Sequence, residues 1–204
     1  MVKDNERRIH ELKQKINKLE QQIVDLKIFI EENEMVMDQT KYLQSQGFNF
    51  VNAKIISRSS EINPNLFIVN QGKNNGIKKG MVVIAQHGTV IGKIIDTQAM
   101  QSSLLLLIDN QCQISASLAG HSEIIGLIQG QHNISLNLIN ILKNVPLKKG
   151  DLIMTSGQDD NIPPGLLIGQ IDEIVDTYGE LFKKANLTSQ VDFGNLRVVS
   201  VVIF

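Results

Sequence analysis

Apolar residues recur at alternating steps of three and four along the first stretch of the chain. Ile9, Leu12, Ile16, Leu19, Ile23, Leu26 and Ile30 follow this spacing, which is the a/d seam of a coiled coil over three heptads. Neither glycine nor proline occurs from Met1 to Gln46, and Gly47 is the first break, so a coiled-coil helix is expected over 1–46. With Ile9 at a, isoleucine fills each a and leucine each d as far as Ile30, the arrangement that favours two parallel strands. A parallel homodimer held by these seven residues is therefore expected. Asp4–Arg8 and Glu11–Lys15 are well-oriented pairs within one helix. Between two helices Lys15 meets Glu20 favourably and Arg8 meets Lys13 unfavourably, so the seam specifies pairing more than the charges do. After Ile30 the next d position is Asn33, and the apolar residues move to Met35, Val36, Tyr42 and Leu43, where the seam slips or ends. The alternative is an amphipathic helix packed on its own β domain, which this narrow stripe suits less well.

From Phe48 onward the period changes to that of strands. Segments at 51–58, 65–71, 81–86, 89–96, 103–109, 113–119, 134–141, 151–156, 166–174, 185–192 and 198–204 are short, rich in Ile, Val and Leu, and separated by Gly, Asn, Asp and Pro. Many short strands with regular turn signals predict a sandwich or barrel, and no helix-length pattern interrupts them. An internal repeat lies within this region. "IKKGMVVI" (77–84) followed by "GTVIGKII" (88–95) returns as "LKKGDLIM" (147–154) followed by "GLLIGQID" (165–172). Two similar β units are expected, and the second carries an insertion, "SGQDDNIPP". Pro163-Pro164-Gly165 suits a type II turn, with Gly165 at the position that needs positive φ. Gly92 and Gly169, inside the strands, mark bends or bulges of a small barrel.

Composition narrows the chemistry. At 204 residues and 42% hydrophobic content the chain buries at least one core, and its net charge of −1 gives no basic excess for nucleic acid or an anionic membrane. The single cysteine, Cys112, makes no internal disulfide or thiolate metal site and reads as a small core residue. His10, His87, His121 and His132 are scattered without metal-ligand spacing. No apolar run approaches the roughly 20 residues of a membrane helix. No signal peptide opens the chain, so either it is cytoplasmic or an anchor is missing.

The helix, "AKIISR", "NQGKNNGIKKGMVVIAQHGTVIGKIID", "SSLLLLIDNQCQISASL", "KKGDLIMTSGQDDNIPPGLLIGQIDEI" and "VDFGNLRVVSVVIF" follow one another in an order that closely resembles the extracytoplasmic part of the bacterial rod shape-determining family MreC. The likeness covers nearly the whole chain. Its most specific residues are Gly72, Gly80, Gly88, Gly92, Gly150, Thr155, Ser156, Gly157, Pro163, Pro164, Gly165 and Gly169, with Val191-Asp192-Phe193 before the last strand. The resemblance implies a mainly β fold led by a long helix: a parallel dimeric coiled coil (1–46) and two small six-stranded barrels (48–110 and 111–204), with exchange of segments between them left open. This architecture is chymotrypsin-like, without the catalytic machinery. It also implies a membrane-anchored scaffold of the cell-elongation complex, the elongasome, on the outer side of the cytoplasmic membrane, its single-pass anchor absent from this stretch. Such a scaffold binds and activates the class B penicillin-binding transpeptidase, alongside MreD, MreB and RodA, organises side-wall peptidoglycan synthesis, and uses no cofactor or metal.

Paired barrels raise the question of a protease triad, for which His87, Asp109 and Ser156 have the right chain order. "MTSGQ" lacks the Gly-Asp-Ser-Gly context of that nucleophile, and Ser156-Gly157 reads as a strand end and turn. Asp159-Asp160 and Asp172-Glu173 read as solvated pairs rather than calcium or glycosidase carboxylates. Asn133 and Asn186 match glycosylation sequons that are moot in a bacterium. The glycine-rich stretches match no phosphate-binding motif. Two other functions are weighed: a trypsin-fold peptidase, and a periplasmic adaptor of a secretion or efflux system, which flanks a helical hairpin with β sequence on both sides. Binding through apolar strand surface or sheet edges remains the expected activity. The partner contact is expected on the first unit around Phe67, Val69 and Ile77, which follows the helix.

Overall fold

Good helix formers without a breaker give one continuous helix, α1 (Val2–Ser45), about 66 Å long at 1.5 Å per residue. The computed structural model describes residues 2–59, 63–86, 88–121, 123–131, 135–176 and 179–204, with side chains from Arg8 onward. After Gly47 the strands are β1 (Asn49–Arg58), β2 (Leu66–Val69), β3 (Val82–Ala85), β4 (Thr89–Thr97), β5 (Ser102–Leu106), β6 (Gln113–Leu118), β7 (Ile124–Gln131), β8 (Ser135–Leu142), β9 (Leu152–Thr155), β10 (Leu167–Val175), β11 (Phe182–Thr188) and β12 (Val198–Ile203). They close two six-stranded barrels, β1-β12-β3-β4-β5-β2 and β10-β11-β8-β7-β6-β9. The mainly β fold with a leading helix and two barrels is thus as expected from the sequence.

The expected division at 48–110 and 111–204 is redrawn at its last segment. The second barrel is contiguous, whereas β12 returns to the first and pairs with β1 and β3. Around each barrel β12 occupies the place that β6 occupies in the other, between the partners β1 and β3 in one case and β7 and β9 in the other. The two units are therefore the same barrel with one strand taken from opposite ends of its sequence. The internal repeat maps onto β3–β4 and β9–β10. Each hairpin carries a bulge beside its strand glycine: Val83 faces Gly92 while Ile84 faces Val90, and Ile153 faces Gly169 while Met154 faces Leu167. A side chain at either glycine has no room, because a Cβ would fall 2.1 Å from the Leu105 carbonyl oxygen or 2.7 Å from that of Thr188.

Ile, Val and Leu from the inward positions of all twelve strands form one apolar cluster that includes Leu43 of the helix. Closure of both barrels has a functional consequence. Each sheet closes on itself, so no whole strand is left as an edge and strand addition has only the short ends of strands for a template.

Candidate functional surfaces

The last turns of α1 are seated on the first barrel. Leu43 is fully buried, and Gln39, 1% exposed, accepts a hydrogen bond from the Ser200 hydroxyl at 2.7 Å while its amide donates to the Val198 carbonyl at 3.3 Å. Both acceptor and donor lie on β12. Asn52 on β1 donates to Thr40, and Lys54 pairs with Glu32 at 2.7 Å. Tyr42 lies against Gly88, at φ +79, where a Cβ would fall 1.9 Å from the ring. Burial pushes the Tyr42 phenol up from its ordinary pKa. Met35, Val36, Tyr42 and Leu43, the residues where the seam slips, thus form a second stripe that faces the barrel.

The seam itself is left open. Ile9, Leu12, Ile16, Leu19, Ile23, Leu26 and Ile30 are each about half exposed, between 49% and 60%. Met37, the next a position, is also exposed, so the stripe runs one step further than expected. In the heptad frame Glu32, Met35, Gln39 and Tyr42 fall at c and f, whereas Val36 and Leu43 fall at g and Thr40 at d. The barrel thus closes over the flank of the stripe below Ile30 and leaves Ile9 to Ile30 uncovered.

The insertion at 156–164 leads into a braced turn. Thr155, wholly buried, donates its hydroxyl proton to the Pro163 carbonyl at 2.6 Å and accepts the Leu166 N–H at 3.0 Å. The hydroxyl thus bridges the first and last residues of the turn Pro163-Pro164-Gly165-Leu166, and Gly165 has the expected positive φ, +85. Asp159 is not merely solvated. Its carboxylate accepts both the Ser115 N–H, at 2.7 Å, and the Ser115 hydroxyl, at 3.0 Å, fixing the loop to β6. Asn161 donates to the Lys79 carbonyl across the barrels at 3.5 Å. Gly80 and Gly150 end the two Lys-Lys turns at φ +92 and +96, Gly72 precedes a short helical turn over 73–75, and Gly157, φ +76, packs on Pro164. Asp172 is paired with Lys149 on the surface.

The candidate triad is not assembled from the residues described. His87, like His132 and Asn133, lies outside them. The Ser156 hydroxyl, 5% exposed, accepts the Gln158 N–H at 3.3 Å and caps a turn. Asp109 accepts the Gln111 N–H at 2.8 Å and the Asn63 and Asn65 amides at 2.8 and 3.3 Å. Burial pushes the Asp109 carboxyl up, but these hydrogen bonds hold its pKa below the usual value. Burial also pushes the Cys112 thiol up to about 12. Among the described residues no group of His, Cys, Asp and Glu is arranged to hold a metal, and no helix is long and apolar enough to cross a membrane.

Phe67, Val69 and Ile77 do not form a contact surface. They are 3%, 0% and 1% exposed, because Phe67 and Val69 are the inward pair of the alternating strand "LFIV". Phe67 instead stacks under Arg58, 4.9 Å from the guanidinium. Arg58 donates to the carbonyls of Gly194 and Leu196 at 2.7 and 3.0 Å, tying the Val191-Asp192-Phe193 segment to the first barrel beside a cleft of about 470 Å³. No sequence pattern singled out Gln39 or Arg58, and the pattern around Asp159 did not give its bond to Ser115; the partners of all three are more than forty residues away.

Residues 55–203 match the family described as Rod shape-determining protein MreC, barrel core. The chain belongs to this family. A cell shape-determining MreC of Bacillus subtilis (strain 168) is 31% identical over 98% of this chain and 71% of its own length. The solved MreC of Listeria monocytogenes superposes with a TM-score of 0.68 at 26% identity, covering 95% of this chain and 94% of that one. An MreC from Helicobacter pylori, solved in complex with the penicillin-binding protein PBP2, matches with a TM-score of 0.62 over 76% of this chain and 98% of its own. At 20% identity that last likeness carries the MreC fold alone. Family membership makes this a cell shape-determining protein and leaves the adaptor and peptidase readings without support.

Proposed function

We propose that this chain is the extracytoplasmic scaffold of the rod elongation complex, acting by binding and without catalysis. The carrying observation is the division of α1 into two faces. One face is seated on the barrel by Leu43, Gln39 and Tyr42; the other exposes an unbroken Ile/Leu seam, which a second parallel copy would cover. Because the seat lies at the end of the helix, beyond Ile30, pairing two helices along Ile9 to Ile30 leaves each barrel free to receive a partner. That partner is the class B penicillin-binding transpeptidase, which this scaffold binds and activates; the Helicobacter pylori relative's complex with PBP2 supports it. A transpeptidase that builds the wall works outside the cytoplasm. The scaffold is accordingly placed there, anchored ahead of α1, and working with MreD, MreB and RodA.

The solution mass of the whole chain tests the pairing. The expected mass is that of two copies, and Leu19→Lys, at the middle of the seam, is expected to give one copy with unchanged strand content. A wild-type chain that runs as one copy at tens of micromolar would remove the parallel-dimer reading.

A further inference from the structure

Strand register sets a belt of side-chain amides around the outside of the second barrel. Gln113 on β6 stands opposite Gln129 on β7, followed in the same way by Asn137 on β8, Asn186 on β11 and Glu173 on β10. Residues directly opposite one another share a face of the sheet. The belt is therefore one row, about 19 Å long at roughly 4.8 Å per strand step. The internal repeat supplies a comparison. Asp96 in "GTVIGKIID" holds the place of Glu173 in "GLLIGQIDE", and its row in the first barrel continues through Ser103, Ile68 and Ser57. That row contains no amide, so the belt belongs to the second barrel and not to the architecture that both share.

Each central amide spends a donor on the protein itself. Gln129 donates to the Asn110 carbonyl at 2.9 Å, Asn137 to the Gln131 side-chain oxygen, and Asn186 to the Glu173 carboxylate at 3.0 Å. Their own side-chain oxygens, one per strand, have no donor among the described residues, and that of Asn137 is also shielded from water. A shielded acceptor without a partner is a deficit that turning the amide towards an outside donor would relieve. The belt is thus a row of acceptors. Beside it Ile139, Val175 and Lys184 line a recess of about 340 Å³, at the lower end of the range for ligand sites. Charge does not select the ligand. Lys184 stands alone in the recess, the Glu173 carboxylate is taken by Asn186, Lys143 and Asp176 pair at 2.8 Å next to Val175, and Lys93 of the first barrel donates to the Gln113 carbonyl at 2.9 Å.

We propose that the belt and its recess bind a glycan strand, whose hydroxyl and acetamido groups donate to the row of side-chain oxygens while its sugar rings rest on Ile139 and Val175. That the glycan is the one in the wall rests on the extracytoplasmic reading given above; the class of ligand rests on the row alone. An extended peptide fits the row less well. It offers an N–H on a given side only at every second residue, about 6.8 Å apart, against a strand step of about 4.8 Å. The closed sheet also leaves it nothing but strand ends to pair with. A sugar ring carries several donors and needs no such match. With a few hydrogen bonds and no aromatic ring lining the recess, a short oligosaccharide has a Kd on the order of 1 mM. A long strand is held more tightly by the two barrels of a pair. Such a site would keep the scaffold on the strand that its partner cross-links.

The test is titration of the isotope-labelled whole chain with the tetramer of N-acetylglucosamine, and with wall glycan strands freed of their peptides, read from the side-chain amide signals by NMR. Those of Gln129, Asn137 and Asn186 are expected to shift and saturate, while those of Gln98 and Gln101 on the first barrel stay in place. Gln129→Ala and Asn186→Ala are each expected to weaken binding about fivefold, the worth of one hydrogen bond, with melting temperature and solution mass unchanged. Gln98→Ala is expected to bind as the wild type does. If neither sugar moves the belt signals at several millimolar, or if both belt variants bind normally, the glycan site is wrong, whereas the scaffold reading is judged separately by solution mass and by binding of the transpeptidase. If free wall peptides move the belt signals and the sugars do not, the glycan assignment is overturned. Glycan binding by a chain that does not bind the transpeptidase would uphold this site while the scaffold reading falls.

Discussion

Replacing Thr155 with valine keeps the shape of the side chain and removes one hydroxyl group. That hydroxyl is wholly buried and makes two hydrogen bonds, donating to the Pro163 carbonyl and accepting the Leu166 N–H. In the valine variant both backbone groups stay buried and lose their partner, at about 1–3 kcal/mol each. The added methyl returns about 1 kcal/mol of apolar burial. The net cost is about 3 kcal/mol, which for a protein of this size lowers the melting temperature by roughly 6–12 °C. Serine at the same position keeps both bonds and gives up only a methyl group, about 1 kcal/mol or 2–4 °C. The order of stability is therefore wild type, then Thr155→Ser, then Thr155→Val. Apolar burial alone ranks valine above serine at a fully buried site, so the two accounts predict opposite orders. Thermal unfolding followed by far-ultraviolet circular dichroism decides, and hydrogen exchange at the Leu166 amide localises the effect. A valine variant that melts at or above the serine variant would show that the hydroxyl bridge does not hold the turn.

Gly88→Ala is expected to lose about 3 kcal/mol, because alanine is strained at φ +79 and its methyl would overlap the Tyr42 ring. In urea unfolding, Tyr42→Ala in the same chain should recover part of that loss, and strictly additive costs would mean that the ring is not the obstacle. Cys112, buried with its thiol pushed up to about 12, should resist an aromatic disulfide reagent at pH 8 until denaturant is added; stoichiometric labelling of the folded chain would contradict its burial. The folded-state pKa of Asp109 lies below its ordinary value, so its contribution to stability is full above about pH 4 and is lost as pH falls through the folded value. Asp109→Asn should accordingly shrink the difference between melting temperatures at pH 7 and pH 3, and an unchanged difference would assign the acid sensitivity to other carboxylates.

What the sequence made legible is what local periodicity encodes. The seam, the Lys-Lys-Gly repeat and the turn at Pro163-Pro164-Gly165 are written in neighbouring residues, and each is found where the pattern puts it. β7 was missed because Gly126 and Gly130 make "IIGLIQGQ" look like a connection. In the barrel they are points of close approach, where a Cβ would fall 2.4 Å from the Ile139 carbonyl oxygen and 2.0 Å from the Ile108 carbonyl. "LFIV" alternates with period two, but the pattern leaves open which pair faces inward; Phe67 and Val69 do, and the expected contact surface vanished into the core. Met35, Val36, Tyr42 and Leu43 were visible as a break in the seam, whereas the barrel that covers them is brought there by residues far along the chain.

The return of β12 matters most for how the parts act together. The helix seat is built on this strand, since Gln39 is bonded to Ser200 and Val198, which are separated from it by 161 and 159 positions. The first barrel lacks a staves-worth of hydrogen bonding between β1 and β3 until the last strand arrives. The helix also rests on Asn52, Lys54 and Gly88, but its two bonds to β12 form only when the chain has come back. Such long-range closure slows folding, and it also joins the seam, the first barrel and the second into one connected structure. Flexible joining at Gly47 alone would let each barrel swing independently of the coil. Seating the helix on the final strand instead fixes the direction of α1 on the first barrel, so that in the proposed scaffold an orientation set by pairing would pass directly to the barrels.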